Sequence, residues 1–204
     1  MRGDIKTINC PQCGYPLSPK FKYTKLIKCP SCKSDIFLDD EAARVAGKSS
    51  VIAQIPSLLE IYRDFEYDGA RYTPVGRIRY RSGRFVWDEW WIVNEYGNGS
   101  WLSIDDGEYV LEEEIEFRMD IPDPARLKNT ETINGWLITE TGEAVCEGFE
   151  GELPEEISIG EKHRYIHLEK DNGSIMTAEF FDGGKKLYSG RWLDPYRIRK
   201  ALHK

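Results

Sequence analysis

Four cysteines near the start of the chain carry the clearest chemistry. Cys10 and Cys13 form one Cys-x-x-Cys pair, Cys29 and Cys32 a second, with fifteen residues between the pairs. A thiolate lies about 2.3 Å from zinc, so two thiolates two residues apart need a tight turn that points both sulfurs inward. Cys-Pro-Gln-Cys-Gly and Cys-Pro-Ser-Cys-Lys both supply one: Pro11 and Pro30 set φ, and Gly14 gives an unhindered exit from the first knuckle. Lys33 stands where the second knuckle would carry glycine, which predicts two non-equivalent halves. The spacing predicts one structural Zn²⁺ held by Cys10, Cys13, Cys29 and Cys32. A closed four-thiolate site leaves no coordination position for water or substrate, so catalysis at this metal is not expected. A redox pair of thioredoxin type occurs once and opens a helix, and neither pair here does. A pair of disulfides needs an oxidising compartment, whereas the opening Met1 to Asp4 carries no apolar leader; the expected location is the cytoplasm. Cys146, in Glu143-Ala-Val-Cys-Glu147, reads as a small buried hydrophobe.

The second constellation is Trp87-Asp-Glu-Trp90. A carboxylate between tryptophans gains a raised pKa and a place in acid–base work. The alternative is structural, with Asp88 paired to Arg77 and Glu89 to another basic side chain. No catalytic partner for Asp88 or Glu89 is identifiable. His163 and His167 alternate along one strand face and read as surface residues, with His203 in the tail. Gly97-Asn-Gly99 and Gly183-Gly184 lead into strand patterns and not helices, so they form no phosphate cradle.

Charge is unevenly spread. The first 33 residues hold seven basic side chains against one acid, Asp4, a net +6; the chain total of −7 leaves −13 for residues 34–204. Lysines around a dianionic zinc–thiolate centre serve as compensation, while Lys20, Lys22 and Lys25 are the residues that would meet nucleic-acid phosphates. The acidic remainder disfavours wrapping on DNA or RNA. Runs such as Leu111-Glu-Glu-Glu-Ile-Glu116 read as solvated faces or as a docking surface for a basic partner. No apolar run approaches the roughly 18 residues needed to span a bilayer.

The elements that must position these groups are mainly β. Residues 1–38 fit a zinc ribbon. Residues 39–63 form a connector in which Asp39 to Gly47 predicts a short helix. Residues 64–204 show period-two runs broken at Asp68-Gly69, Ser82-Gly83, Asn98-Gly99, Asp106-Gly107, Asn172-Gly173 and Gly183-Gly184, the pattern of an antiparallel meander. With Ser82-Gly83 as the turn, Arg77 faces Asp88, Arg79 faces Val86, Ile78 faces Trp87 and Gly76 faces Glu89. Phe85 to Val93 is apolar on both faces, which predicts a strand covered on each side in a sandwich or barrel. The prolines of Asp120 to Lys128 link two sheet halves, and Asp194-Pro195 predicts a short C-terminal helix through Leu202.

Tyr67-Asp-Gly69, Tyr72-Thr-Pro-Val-Gly-Arg-Ile-Arg-Tyr80, Trp87-Asp-Glu-Trp90, Gly151-Glu-Leu-Pro154 and Tyr188-Ser-Gly-Arg-Trp192 together resemble Domain of Unknown Function 4178, over roughly residues 64–194. The chain departs from the pattern after Pro154, with Glu155 where tryptophan is usual. The resemblance implies a bacterial or archaeal protein with an N-terminal zinc ribbon. It also implies genes encoded beside phage-shock-type membrane-remodelling proteins, small membrane proteins and polyamine-synthesis enzymes, and so a link to envelope stress. The expectation is a non-enzymatic cytoplasmic adaptor that binds a protein partner and associates peripherally with a membrane complex. The alternatives are nucleic-acid binding through the basic ribbon and an enzyme using Asp88 or Glu89.

Overall fold

A computed structural model describes residues 7–39, 43–46, 52–53, 55–116 and 119–200. Five short strands build the N-terminal module: β1 (Ile8–Asn9), β2 (Pro16–Leu17), β3 (Leu26–Lys28), β4 (Asp35–Leu38) and β5 (Ala43–Val45). A short β6 (Phe65–Tyr67) leads into β7 (Ala70–Ser82), β8 (Phe85–Asn94), β9 (Gly99–Asp105) and β10 (Glu108–Glu114). After a crossing segment come β11 (Thr132–Ile133), β12 (Trp136–Leu153), β13 (Lys162–Glu169), β14 (Ile175–Phe181), β15 (Gly184–Leu193) and β16 (Arg199–Lys200).

Eight of these strands close on themselves in the order β7-β8-β9-β10-β15-β14-β13-β12, every pair antiparallel, with β12 returning to β7. Closure removes the exposed edges that a meander of this length would otherwise leave. It also accounts for the two-sided apolar character of β8. Trp87, Trp91 and the facing Trp101 look into the barrel with Ile78, Tyr80 and Phe149. On the outside, Trp90 and Ile92 lie under a strap made of Leu59, Ile61, Phe65 and Ile198. A second strap, Ile115, Met119, Ile121 and Leu127, covers Ile166, Leu168, Met176 and Leu187 on the opposite outer wall. The proline-rich stretch therefore links β10 to β11 and caps an outer face, with a 3₁₀ turn at Pro124–Arg126.

The β7–β8 hairpin turns at Gly83-Arg84, one residue later than the sequence predicts. Ser82 pairs with Phe85, Arg79 with Asp88, Ile78 with Glu89 and Gly76 with Trp91. Gly83 takes φ 57°, the position that a type II′ turn reserves for glycine. The register moves by two residues, so every side chain keeps its face and only its partner changes. Gly76 does not leave space opposite Glu89. It pairs with Gly151 on β12, and a Cβ on Gly76 would sit 2.0 Å from the Glu152 carbonyl oxygen. The bare backbone is what lets β12 cross β7 as it leaves the barrel for the ribbon.

Two expected helices are strands or turns. Asp40 to Glu41 and Ala42, with Gly47, lie outside the described residues, but Ala43–Val45 pairs with β4, where Arg44 stacks over Phe37 at 4.3 Å. At the C-terminus Asp194 caps a single 3₁₀ turn, Pro195–Arg197, and Arg199–Lys200 then pairs with β6. In both places an open sheet edge captures the chain, and the ladder outweighs a short helix that has little apolar face of its own.

Candidate functional site

The two cysteine knuckles are built alike. In the first, Gly14 N donates to Cys10 O at 2.8 Å and Cys10 N to Tyr15 O at 2.8 Å; in the second, Lys33 N donates to Cys29 O at 3.0 Å and Cys29 N to Ser34 O at 2.9 Å. Lys33 adopts φ 64° where Gly14 has 76°, so the halves match in geometry despite the different residue. The left-handed conformation at Lys33 costs about 1–2 kcal/mol. Its Nζ donates to Pro30 O at 2.8 Å, which helps hold it there.

All four sulfurs lie within 4.8 Å of one another, with Cys10 Sγ to Cys32 Sγ at 3.7 Å and Cys13 Sγ to Cys29 Sγ at 3.8 Å. Sulfurs about 2.3 Å from a tetrahedral ion stand about 3.8 Å apart, and a disulfide would need about 2.05 Å. The donors therefore fit a four-coordinate metal ion. Burial pushes the Cys10 thiol up to about 11, and hydrogen bonding to Ser34 pulls Cys32 down to about 6. Leu17, Ile27, Ile36 and Leu38 pack around the cluster as a small separate core.

The ribbon is fastened to the barrel by strand pairing, by Leu26 and Phe37 packed into the barrel's core, and by one buried carboxylate. β12 runs past the barrel to pair Glu152 with Ile27 and Leu153 with Leu26 on β3. Glu152, 1% exposed, accepts from Lys20 N at 2.8 and 2.9 Å, Phe21 N at 3.1 Å, Thr24 Oγ1 at 2.9 Å and the Tyr62 hydroxyl at 2.8 Å. Both the burial and the Glu152 charge push the Tyr62 phenol up. Nothing in the local sequence marks Glu152 as a clamp, since its partners are 90 or more positions away.

The three ribbon lysines part company. Lys20 lies over the Tyr62 ring at 4.0 Å and Lys22 over Tyr23 at 5.1 Å. Lys25 lines a cavity at the ribbon end of the barrel. Arg77 and Asp88 meet on the outer face, at 3.3 Å across a diagonal, while the directly opposed Arg79 holds Asp88 with two bonds of 2.7 and 2.8 Å. Arg77, 2% exposed, also donates to Glu150 at 2.9 Å and stacks on Trp90. Asp88 is thus a member of a structural ion-pair ladder.

Glu89 points the other way, into the lumen, where Trp87 Nε1 donates to it at 2.9 Å. It shares that interior with Glu112, Glu179, Lys186 and His163. His163 is buried, 4% exposed, which corrects the surface reading; His167 is half-buried. Loss of water pushes Glu89 up to about 8, aided by Glu112 and Glu155, and pushes Glu112 and Glu179 up as well. Burial and the Lys186 charge pull His163 down to about 4. The sequence pattern flags Glu89 through its tryptophan neighbours, but Glu112 and Glu179 look like ordinary polar strand positions until closure turns them inward.

These shifts set a pH dependence. Between the ordinary glutamate value and about 8, native Glu89 holds a proton that the unfolded chain has lost, so stability falls as pH rises, by at most about 1.4 kcal/mol per pH unit. His163 acts oppositely between about 4 and its ordinary value of 6.5, leaving the carboxyl effect alone above that. Urea unfolding of the metal-loaded protein from pH 6.5 to 8 is expected to show declining stability, and Glu89→Gln to flatten the decline. Parallel profiles for the two proteins would contradict the assignment.

Fold and site together define a class: a closed eight-stranded antiparallel barrel with a four-cysteine module clamped to one end. The chain belongs to the family described as Domain of unknown function (DUF4178), whose model matches residues 64–195 and so spans the barrel from before β7 to the end of β15. No curated protein and no solved structure matches the chain. Among the described residues no helix is long and apolar enough to cross a membrane.

Proposed function

We propose that this is a non-catalytic binding protein in which a zinc-held ribbon and an acidic barrel act as one docking body, with a ligand pocket where they meet. The observation that carries it is the cavity of about 600 Å³ bounded by Lys25 from the ribbon, Trp91 and Trp101 from β8 and β9, Glu112 from β10, and Glu155 with Lys186. Volumes of this order suit a small molecule, and a pocket with aromatic walls and a few polar groups is the usual form of a binding site. Zinc is the metal that a closed set of four thiolates at tetrahedral spacing favours, and it would serve structure alone. The family resemblance supports an adaptor role in the cytoplasm, next to an envelope-stress complex and with a protein partner at the ribbon.

The test is a ligand screen on the full-length, zinc-loaded chain by melting temperature and NMR. A compound that shifts the Trp91 and Trp101 indole signals and is recovered unchanged after prolonged incubation supports the reading. A compound that is converted, with conversion abolished by Glu89→Gln at unchanged melting temperature, supports the enzyme alternative.

Nucleic-acid binding is the second reading, favoured by the exposed Lys20 and Lys22, each set over a tyrosine ring. Against it, Lys25 lines an acidic cavity and Lys28 is paired with Asp35, so the basic stripe is broken. Binding that weakens steeply with salt and disappears when Lys20, Lys22 and Lys25 become Glu would favour this reading.

A further inference from the structure

We infer that the barrel pocket receives a neutral polyhydroxyl ligand of the saccharide class; the inference rests on the pocket reading above and names its ligand class. What points to it is an unanswered donor in the cavity wall. Among the described residues the Trp91 Nε1–H is shut off from solvent and has no hydrogen-bond acceptor, although Trp91 lines the cavity. Buried polar groups in native proteins are almost always paired, so this N–H marks a place where an acceptor belongs. The indole is held there by its surroundings. Phe21 of the ribbon meets it edge-on at 5.6 Å between ring centroids, and Trp101 lies against it at 4.9 Å. Gly99 completes the seat, since a Cβ at that position would stand 1.9 Å from Trp91 Cζ2.

Two further donors in the same wall lack acceptors. Lys25 lines the cavity, and its ammonium makes no ion pair or hydrogen bond among the described residues. Asn94 Oδ1 accepts from the Tyr96 and Asn98 amides, each at 3.0 Å, which leaves its Nδ2–H₂ as the group free to donate. Lys186, by contrast, is engaged by Glu155. The acceptors in the wall are carboxyl groups, Glu112 and Glu113 among them.

This mixture decides the ligand class. A cation leaves the Trp91, Lys25 and Asn94 donors unanswered. An anion answers them but meets the repulsion of the wall carboxyls Glu112, Glu113 and Glu155. A hydroxyl both accepts and donates, so several hydroxyls on one neutral molecule serve the donors and the carboxyls together. The indoles of Trp91 and Trp101 add apolar surface for the C–H face of a sugar ring, whose weakly positive hydrogens suit the negative face of an aromatic system. A cavity of about 600 Å³ has room for a ligand of that size.

The experiment is an NMR titration of the full-length zinc-loaded protein, following the indole N–H signals. The probes are the methyl glycosides of glucose, galactose, mannose and N-acetylglucosamine, with n-butylammonium and butyrate as charged controls. At least one glycoside is expected to bind saturably and to move the Trp91 Nε1 proton downfield as it gains an acceptor, while the charged probes leave that proton in place. Trp91→Phe, which keeps a ring and removes the N–H, and Lys25→Met should each weaken binding about tenfold, equivalent to about 1.4 kcal/mol. Lys25 is exposed, so its variant tests the site without disturbing the fold. If Trp91→Phe does not fold, Lys25→Met and the Trp91 proton carry the test. Preference for n-butylammonium or butyrate, binding that leaves the Trp91 proton unmoved, or unchanged affinity in the variants overturns the inference. If a compound without hydroxyl groups from the screen fills the cavity while no glycoside does, the saccharide assignment falls and the pocket reading stands; if nothing binds, both fall.

Discussion

Stripping the metal with a chelator is expected to unfold the ribbon while the barrel persists. Beyond its cysteines the ribbon's own core consists of Leu17, Ile27, Ile36 and Leu38 with a few partly buried neighbours, while Leu26 and Phe37 pack into the barrel's core. So small a cluster does not offset the conformational entropy of about thirty residues, at roughly 1–2 kcal/mol each. Zinc supplies on the order of 10–16 kcal/mol in comparable peptides. Amide hydrogen exchange should show protection lost over β1 to β4 and kept in β7, β8 and β12, with the near-ultraviolet tryptophan signal largely retained. Cys29→Ser should do the same without a chelator. Equal protection of the ribbon with and without metal would contradict the account.

The second large effect is expected at Glu152. Its carboxylate satisfies two backbone N–H groups and two hydroxyls from the ribbon and the segment before β6. Glu152→Ala leaves those donors buried without an acceptor, which costs about 3–5 kcal/mol. Glu152→Gln should lose most of the same stability, because an amide turns its own N–H groups toward donors. Urea unfolding measures the loss, and exchange at the Lys20 and Phe21 amides locates it. A change below about 1 kcal/mol, within the range of ordinary surface substitutions, would show that the ribbon is held by β3–β12 pairing and by the packing of Leu26 and Phe37 without the carboxylate.

What the sequence makes legible is whatever depends on neighbours along the chain. The cysteine spacing yields the cage, Asp68-Gly69 and Asp106-Gly107 turn where expected with positive φ at both residues, and the double-sided apolar run marks β8 as a strand covered on both faces. At Ser82-Gly83 the glycine is correctly read as the turn but is its first residue and not its second, so the partners slip by two while the faces hold. The Asn134-Gly135 turn between β11 and β12, with φ 52° and 78°, carries the same signal and goes unread beside the proline-rich stretch.

Long-range pairing is the part that local pattern does not carry. Closure of β12 on β7 joins residues from Arg81 and Val145 to Gly76 and Gly151, far apart in the chain, and it alone decides that Glu89, Glu112 and Glu179 share one interior. His163 reads as a surface residue because alternation assigns it a face without saying what encloses that face. The Asp194 capping signal is real at the level of the turn: the cap before Pro195 forms as read, and the edge of β6 then takes the chain that would have continued the helix.

The account stands most directly on the identity and coordination of the bound metal. Elemental mass spectrometry of the purified full-length chain, with X-ray absorption at the metal edge, is predicted to find one zinc per chain surrounded by four sulfurs at about 2.3 Å. Absence of stoichiometric metal, or a shell of nitrogen and oxygen in place of sulfur, would contradict it.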